Sequence, residues 1–236
     1  MHQPVLLEEV IELMGIKPGG RYIDGTVGAG GHAGAILEKS GFGGRLLGID
    51  RDADALARTA KRLSTWGSGC ALEQGDFADM IAMAERHDLK DVDGVLLDLG
   101  MSSDQVDSAE RGFSFRQDGP LDMRMDFTQE LTAAKLVREI DERELADLLW
   151  RLGEERASRR IAKLICEERA RKPIETTSRL AEIVSEAKGG RRGRTHPATQ
   201  TFQALRMAVN SELESLEKGL EAALTLVAPG GRVAVI

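Results

Sequence analysis

Four short apolar runs, each closing on acidic or turn residues, dominate the N-terminal part of the chain: RYIDGT from Arg21, RLLGID from Arg45, CALEQGDF from Cys70 and DGVLLDLG from Asp93. A helix of about ten residues fits between the first two, and Asp54 to Leu63 supplies another after the second. Strands alternating with helices at this interval predict a parallel sheet with helical crossovers. Ligands of such sheets lie beyond the carboxyl ends of the strands. A short amphipathic helix, Val5 to Met14, precedes the first run and stops at Gly15.

Beyond Gly100 the rhythm changes. Met101 to Asp126 has no periodicity, and an irregular segment of that length points to a functional loop. Helical patterns follow with no intervening strand: Thr132 to Ile140, a segment opened by a capping box at Asp141 and Glu144 and ending near Gly153, Glu154 to Lys172, and Thr177 to Ala187. Phe202, Leu205, Val209, Leu213, Leu216, Leu220, Leu224 and Val227 keep helical spacing after Pro197, which predicts one long helix with a continuous buried stripe. GGRVAVI then reads as a fifth strand. The expected division is a sheet domain over 1–105, an active-site loop with an all-helical insertion over 106–195, and the remainder of the sheet domain over 196–236.

Composition excludes several classes. The 236 residues are 42% hydrophobic and 30% charged, an ordinary globular balance. No apolar run approaches the roughly 20 residues of a membrane span, and the acidic start is no signal peptide, so a cytoplasmic protein is expected. Cys70 and Cys166 stand alone, and His2, His87 and His196 form no ligand spacing, so neither a disulfide framework nor a metal is expected. The net charge of -7 confines any nucleic-acid contact to a local basic surface. Six Phe, two Trp and one Tyr are too few for a general single-strand binder. A homodimer is left open.

The segment YIDGTVGAGGH, Tyr22 to His32, reads as a strand, a glycine-rich turn and a helix start. Asp50 closes the second strand about 20 residues further on, where a carboxylate accepts from ribose hydroxyls. Gly75-Asp76-Phe77 closes the third strand and Asp98 the fourth. One glycine-rich turn is weak evidence, since structural loops produce it too; the four strand ends together are far more specific. A dinucleotide oxidoreductase calls for G-x-G-x-x-G, whereas Gly28, Gly30 and Gly31 run into His32 and no second mononucleotide half follows. S-adenosylmethionine has no pyrophosphate, and acidic strand ends suit its ribose and adenine better. The pattern implies a methyltransferase in which Asp50, Asp76 and Asp98 converge with the glycine turn around one adenosyl ligand. His32, alone at a helix start, reads as a contact of that loop and not as a metal ligand.

DLGMSSDQVDSAERGFSFRQDGPLDMRM from Asp98, HQPVLLEEV near the start, YIDGTVGAGGH, and HPATQTFQALRMAVNSELE from His196 resemble the bacterial 16S ribosomal RNA (cytosine-N4)-methyltransferases, the RsmH or MraW family, over essentially the whole chain. The resemblance implies a class I methyltransferase fold, a Rossmann-like α/β parallel sheet with an inserted all-helical subdomain. It implies S-adenosyl-L-methionine as cofactor and N4 of a decoding-centre cytosine in 16S rRNA of the small ribosomal subunit as target. Carried over position by position, it implies cofactor contacts at Gly30, Gly31, His32, Asp50, Phe77, Asp98 and Gln105, the last on the resemblance alone. In that family a Ser-Phe-His-Ser-Leu-Glu-Asp-Arg block and further strands follow the point at which this sequence stops, Ile236. The chain is therefore expected to be a fragment with an exposed sheet edge.

The lone pair of cytosine N4 is delocalised into the ring, so catalysis needs orientation and a proton acceptor. Other amino methyltransferases share an Asp/Asn-Pro-Pro-aromatic motif at the fourth strand end; Asp98-Leu99-Gly100-Met101-Ser102-Ser103 stands here instead. The candidates for holding the target are Asp98, Ser102, Ser103 and the acids of GPLDMRM, with Asp122 the first choice and an ion pair to Arg124 or Arg111 as its alternative reading. Phe113 and Phe115 either stack on an extruded base or pin the loop to the core. Lys188 to Arg206 has five basic residues and no acid, which nominates Arg191, Arg192 and Arg194 for RNA-backbone contact. The mixed charges of Arg151 to Lys172 read as a solvated helix surface. The rival functions are a methyltransferase of another substrate and a non-catalytic S-adenosylmethionine-binding regulator.

Overall fold

The computed structural model describes residues 4–190 and 195–236. The chain forms two compact units, Met1–Ser102 with Leu213–Ile236, and Ser103–Glu212.

The first unit is a sheet of five parallel strands, β1 (Arg21–Asp24), β2 (Arg45–Asp50), β3 (Cys70–Gln74), β4 (Val92–Leu97) and β5 (Val227–Val235), in the order β3-β2-β1-β4-β5. Its helices are α1 (Leu7–Met14), α2 (Gly31–Ser40), α3 (Ala53–Arg62) and α4 (Met80–Arg86). This is the expected Rossmann-like α/β layout. The strands read as continuous apolar runs because both faces are covered. Tyr22, Leu46 and Leu96 point into one core with Val10, Met14, Ile36 and Leu37. Their neighbours Ile23, Leu47, Val95 and Leu97 point into the other with Met80, Met83 and Ala223. The strand order reverses between β1 and β4, which creates a topological switch point at their carboxyl ends.

The second unit holds α5 (Ser103–Asp107), α6 (Ala133–Glu139), α7 (Glu142–Gly153), α8 (Ser158–Arg171), α9 (Thr177–Ala187) and α10 (Thr199–Val209). Side chains of Thr132, Asp141 and Thr176 cap α6, α7 and α9, accepting from otherwise unpaired first-turn N–H groups. Leu145, Leu149, Ile161, Ile165, Leu180 and Val184 fill the core. Phe113, Leu121 and Met123 of the preceding loop are buried in it too.

The single long helix expected after Pro197 is two helices. α10 ends at Val209, and α11 runs over Glu212–Leu226. Between them Ser211 takes a left-handed φ of 49°, a conformation that breaks the helical ladder. Asn210 is buried and stitches the break to the loop: its Oδ1 accepts from Met125 N (2.8 Å) and its Nδ2 donates to the carbonyls of Met123 (2.8 Å) and Arg206 (2.9 Å). The apolar stripe is therefore not continuous. Phe202, Leu205 and Val209 serve the helical core, Leu216 and Leu220 pack on the sheet core, and Leu213 and Leu224 are exposed. The division expected at 105/106 and 195/196 falls instead at Ser103 and Glu212, because α10 buries its apolar face among the inserted helices.

Candidate functional site

The glycine turn after β1 is tied to three strand ends. Thr26 N donates to Asp24 Oδ1 (3.2 Å), Asp98 N donates to Thr26 Oγ1 (2.6 Å), and Gly28 N donates to Asp50 Oδ2 (2.8 Å). Asp50 Oδ1 accepts from Asp52 N (2.9 Å), so its carboxylate is held at both oxygens with lone pairs to spare. Gly30 caps α2 at φ 73°, a left-handed conformation suited to glycine. A side chain at Gly31 would meet the Pro4 ring at 2.3 Å, so the N-terminal segment lies directly over the turn.

His32 is buried at the start of α2. Its Nε2 donates to the Val5 carbonyl at 3.0 Å, which leaves Nδ1 facing Asp98 Oδ2 at 3.7 Å. Phe77 is buried in the sheet core, where its ring fills the space that a side chain at Gly219 would need (2.4 Å). Any ligand contact by Phe77 is therefore left to its ring edge or backbone.

Asp24 is the residue that sequence reasoning passed over. Its side chain is 1% exposed, and burial first, then the charges of Asp50 and Asp98, push its carboxyl up to about 7; the Thr26 backbone N–H opposes them. Asp50 is likewise raised by burial, against the N–H bonds from Asp52 and Gly28. Asp24 ends β1 and Asp98 follows β4, the two strands that flank the switch point. The signal was present in YIDG, an acid ending an apolar strand, but nothing local shows that its carboxyl turns inward.

Asp76, expected to converge with Asp50 and Asp98, is engaged elsewhere. Its Oδ2 takes an ion pair from Arg51 and a hydrogen bond from Ser215 Oγ (2.6 Å), while Oδ1 caps the turn at Ala78 N (3.0 Å). A carboxylate bonded in this way fastens α11 to the end of β3. The converging acids are Asp24, Asp50 and Asp98.

In the second unit Ser103 opens α5 and Gln105 is buried within it. Asp122 is gripped in bidentate fashion by Arg124, with Oδ1 at 2.8 Å from Nε and Oδ2 at 2.8 Å from Nη2, which is the ion-pair alternative. Arg111 does not take part in that pair; it donates to the carbonyls of Arg124 (3.2 Å) and Met125 (3.0 Å). Phe113 is buried and Phe115 half-buried. Arg191, Arg192 and Arg194 lie outside the described residues. Among the described residues no group of three or more His, Cys, Asp or Glu is placed to hold a metal ion, and no helix is long and apolar enough to cross a membrane.

The buried acid has a measurable consequence. The folded chain holds Asp24 at about 7 against 3.8 for an ordinary Asp, so between these values the native state binds the extra proton and stability falls as pH rises. Above about pH 7 the penalty levels off, with a ceiling of about 4 kcal/mol. Asp24→Asn is therefore expected to stabilise the ligand-free protein by about 2–4 kcal/mol at pH 8 and by little near pH 4. Urea denaturation across pH checks this; a gain that did not vary with pH would assign it to something other than ionisation.

The acids and the glycine turn suit a ligand that is both nucleoside-like and cationic. A carboxylate with acceptor sites to spare stands at Asp50, further acids gather at the switch point, and the backbone at Gly30–Gly31 carries no side chain.

Comparison with known proteins agrees with this chemistry. A family model described as the MraW methylase family matches residues 1–236. Two relatives carry the name Ribosomal RNA small subunit methyltransferase H. The one from Dehalococcoides mccartyi is 52% identical over 235 residues, 100% of this chain and 66% of its own length. The one from Syntrophobacter fumaroxidans is 51% identical over 237 residues, 100% of this chain and 74% of its own length. The chain thus spans about two thirds of the first of these relatives. A solved fibrillarin from Aeropyrum pernix matches 46% of this chain and 42% of its own at 21% identity, with a TM-score of 0.34, too slight a likeness to bear on function. On the match to its full length and the two close relatives, this chain belongs to the MraW methylase family.

Proposed function

We propose that this protein is an S-adenosylmethionine-dependent methyltransferase that methylates N4 of a cytosine in the decoding centre of 16S rRNA. The observation that carries the reading is the acid group Asp24, Asp50 and Asp98 around the glycine turn, in a chain whose relatives are named for small-subunit ribosomal RNA. S-adenosylmethionine supplies an electrophilic methyl group on a cationic sulfur. Gly30 and Gly31 admit its amino-acid portion, Asp50 accepts from its ribose hydroxyls, and Asp24 with Asp98 supplies negative charge. His32 anchors the N-terminal segment through Val5 and sets its ring edge beside Asp98. Phe77 and Gln105 remain as contacts on the family resemblance.

For the transfer itself Asp98 is the favoured acceptor of the amine proton, since it follows β4 at the switch point and is partly exposed. Ser103 and Asp122 enter on sequence grounds. Asp122 is less available than Asp98, because Arg124 donates to both of its carboxylate oxygens. The cytoplasm, on the small ribosomal subunit, is the proposed place of action. Arg191, Arg192 and Arg194 are proposed to hold the RNA backbone. Replacing all three by Ala is expected to weaken RNA binding by about 10- to 100-fold at low salt and to flatten the salt dependence by about two in slope. Filter binding across a salt series reads both; an unchanged slope removes these arginines from the interface.

The reading is tested with radiolabelled S-adenosylmethionine incubated with intact small subunits, free ribosomal RNA and total protein, followed by nucleoside analysis. Label is expected in N4-methylcytidine of the small-subunit RNA. Label only in protein, or ligand uptake without any transfer, would replace the reading with one of its rivals.

A further inference from the structure

Phe202, Phe115 and His196 form a graded aromatic stack in the helical unit. Phe202 is buried in the core, Phe115 is half-buried and His196 is exposed. Phe115 meets Phe202 edge-on with 4.9 Å between centroids, and the His196 ring lies over Phe115 at 4.4 Å with 30° between the planes. Nδ1 of His196 accepts from Ala198 N at 3.2 Å, so the neutral ring carries its proton on Nε2 and is held from one edge. A flat ring is thus backed by a second ring, fixed in orientation and presented to solvent.

The polypeptide around it is braced. Glu155 is 1% exposed, and its Oε2 lies 2.7 Å from Lys188 Nζ, which also donates to the Pro197 carbonyl at 3.0 Å. Glu155 Oε1 accepts from Ala157 N at 2.9 Å, so the buried carboxylate is satisfied at both oxygens. Breaking such a buried pair is costly. It ties Lys188 to Pro197 across the intervening residues, at the base of the stretch that holds five basic residues and no acid between Lys188 and Arg206.

A solvent-facing ring with a fixed plane, set in a purely basic stretch, matches a polyanion that carries flat groups. We infer that His196, backed by Phe115, is a stacking platform for one unpaired base of the RNA strand. The inference rests on the RNA-methyltransferase reading above and names where the helical unit grips that substrate. Every base offers a π face, so the contact is tolerant of sequence and contributes through stacking, not charge. His196 acts in binding and has no part in methyl transfer.

The test uses a single-stranded RNA oligonucleotide with interspersed 2-aminopurine, whose fluorescence is quenched on stacking. His196→Ala is expected to weaken binding by about tenfold and to relieve the quenching. The slope of affinity against salt should stay the same, because no phosphate contact is lost. His196→Phe is expected to restore both affinity and quenching. Unchanged binding in His196→Ala, a reduced salt slope, or a failure of the Phe variant to rescue each overturns the platform. Wild-type protein that binds and methylates RNA alongside a silent His196→Ala would overturn this inference alone; wild-type protein that binds no RNA overturns both it and the reading beneath it.

Discussion

Asp50→Ala is expected to lower the affinity for S-adenosylmethionine on the order of 100-fold or more. A carboxylate that accepts from two ribose hydroxyls makes two charge-assisted hydrogen bonds, each contributing about 1.5–3 kcal/mol. The same change frees the N–H groups of Gly28 and Asp52, which now converge on that carboxylate, so the glycine turn keeps only its backbone bond from Val27 N to the Ile49 carbonyl of β2 among the described residues. Asp50→Asn retains one acceptor and should fall between the variant and the wild type. Asp76→Ala is the contrasting case. Its carboxylate binds Arg51 and Ser215, so this change should cost stability while leaving ligand affinity within a few-fold of wild type. Calorimetric titration of the variants separates the two acids. Equal losses of affinity would mean that Asp76 does belong to the ligand site.

The second large effect is on folding. Asn210→Leu removes the acceptor of Met125 N and the donor to the Met123 carbonyl, and both partners belong to a loop otherwise short of regular structure. Each buried backbone group left unpaired costs about 1–3 kcal/mol, giving about 2–6 kcal/mol in all. The bidentate pair between Arg206 and Glu212, at 2.7 and 2.8 Å, still bridges the break between α10 and α11. The helices themselves should therefore persist while the loop loosens. Urea denaturation reads the loss, and hydrogen exchange at Met125 locates it. A cost below about 1 kcal/mol would show that Asn210 is not the anchor of that loop.

That break also shows what a sequence withholds. The spacing from Phe202 to Val227 stays in helical phase across Asn210 and Ser211, so periodicity alone reads one helix serving one core. Only the tertiary partners of Asn210 reveal that the stripe feeds two cores, and those partners lie 85 and 87 residues away. Local signals did better. The span Thr177–Ala187 of α9 and the caps Thr132 and Asp141 follow from side chains within a few residues of the helix start.

The site was legible to the same degree. Glycine turns and strand-end acids mark the ligand edge of a parallel sheet, and Asp50 and Asp98 lie there together with His32. Whether a strand-end acid faces the ligand or a neighbouring arginine is not a local property. Asp76 and Asp24 differ for that reason: Arg51 and Ser215 capture the first, whereas the second, buried at the end of β1, accepts from Thr26. Asp122 is a similar case, with Arg124 two residues away claiming both oxygens.

Titration calorimetry of S-adenosylmethionine into the unmodified protein bears most directly on this account. Because a cationic ligand favours the ionised form of a carboxyl held near pH 7, binding should be one-to-one, should tighten between pH 6 and pH 8, and should release a proton in the lower part of that range. Absence of binding at every pH, or binding whose strength is indifferent to pH and survives the loss of Asp50, would contradict it.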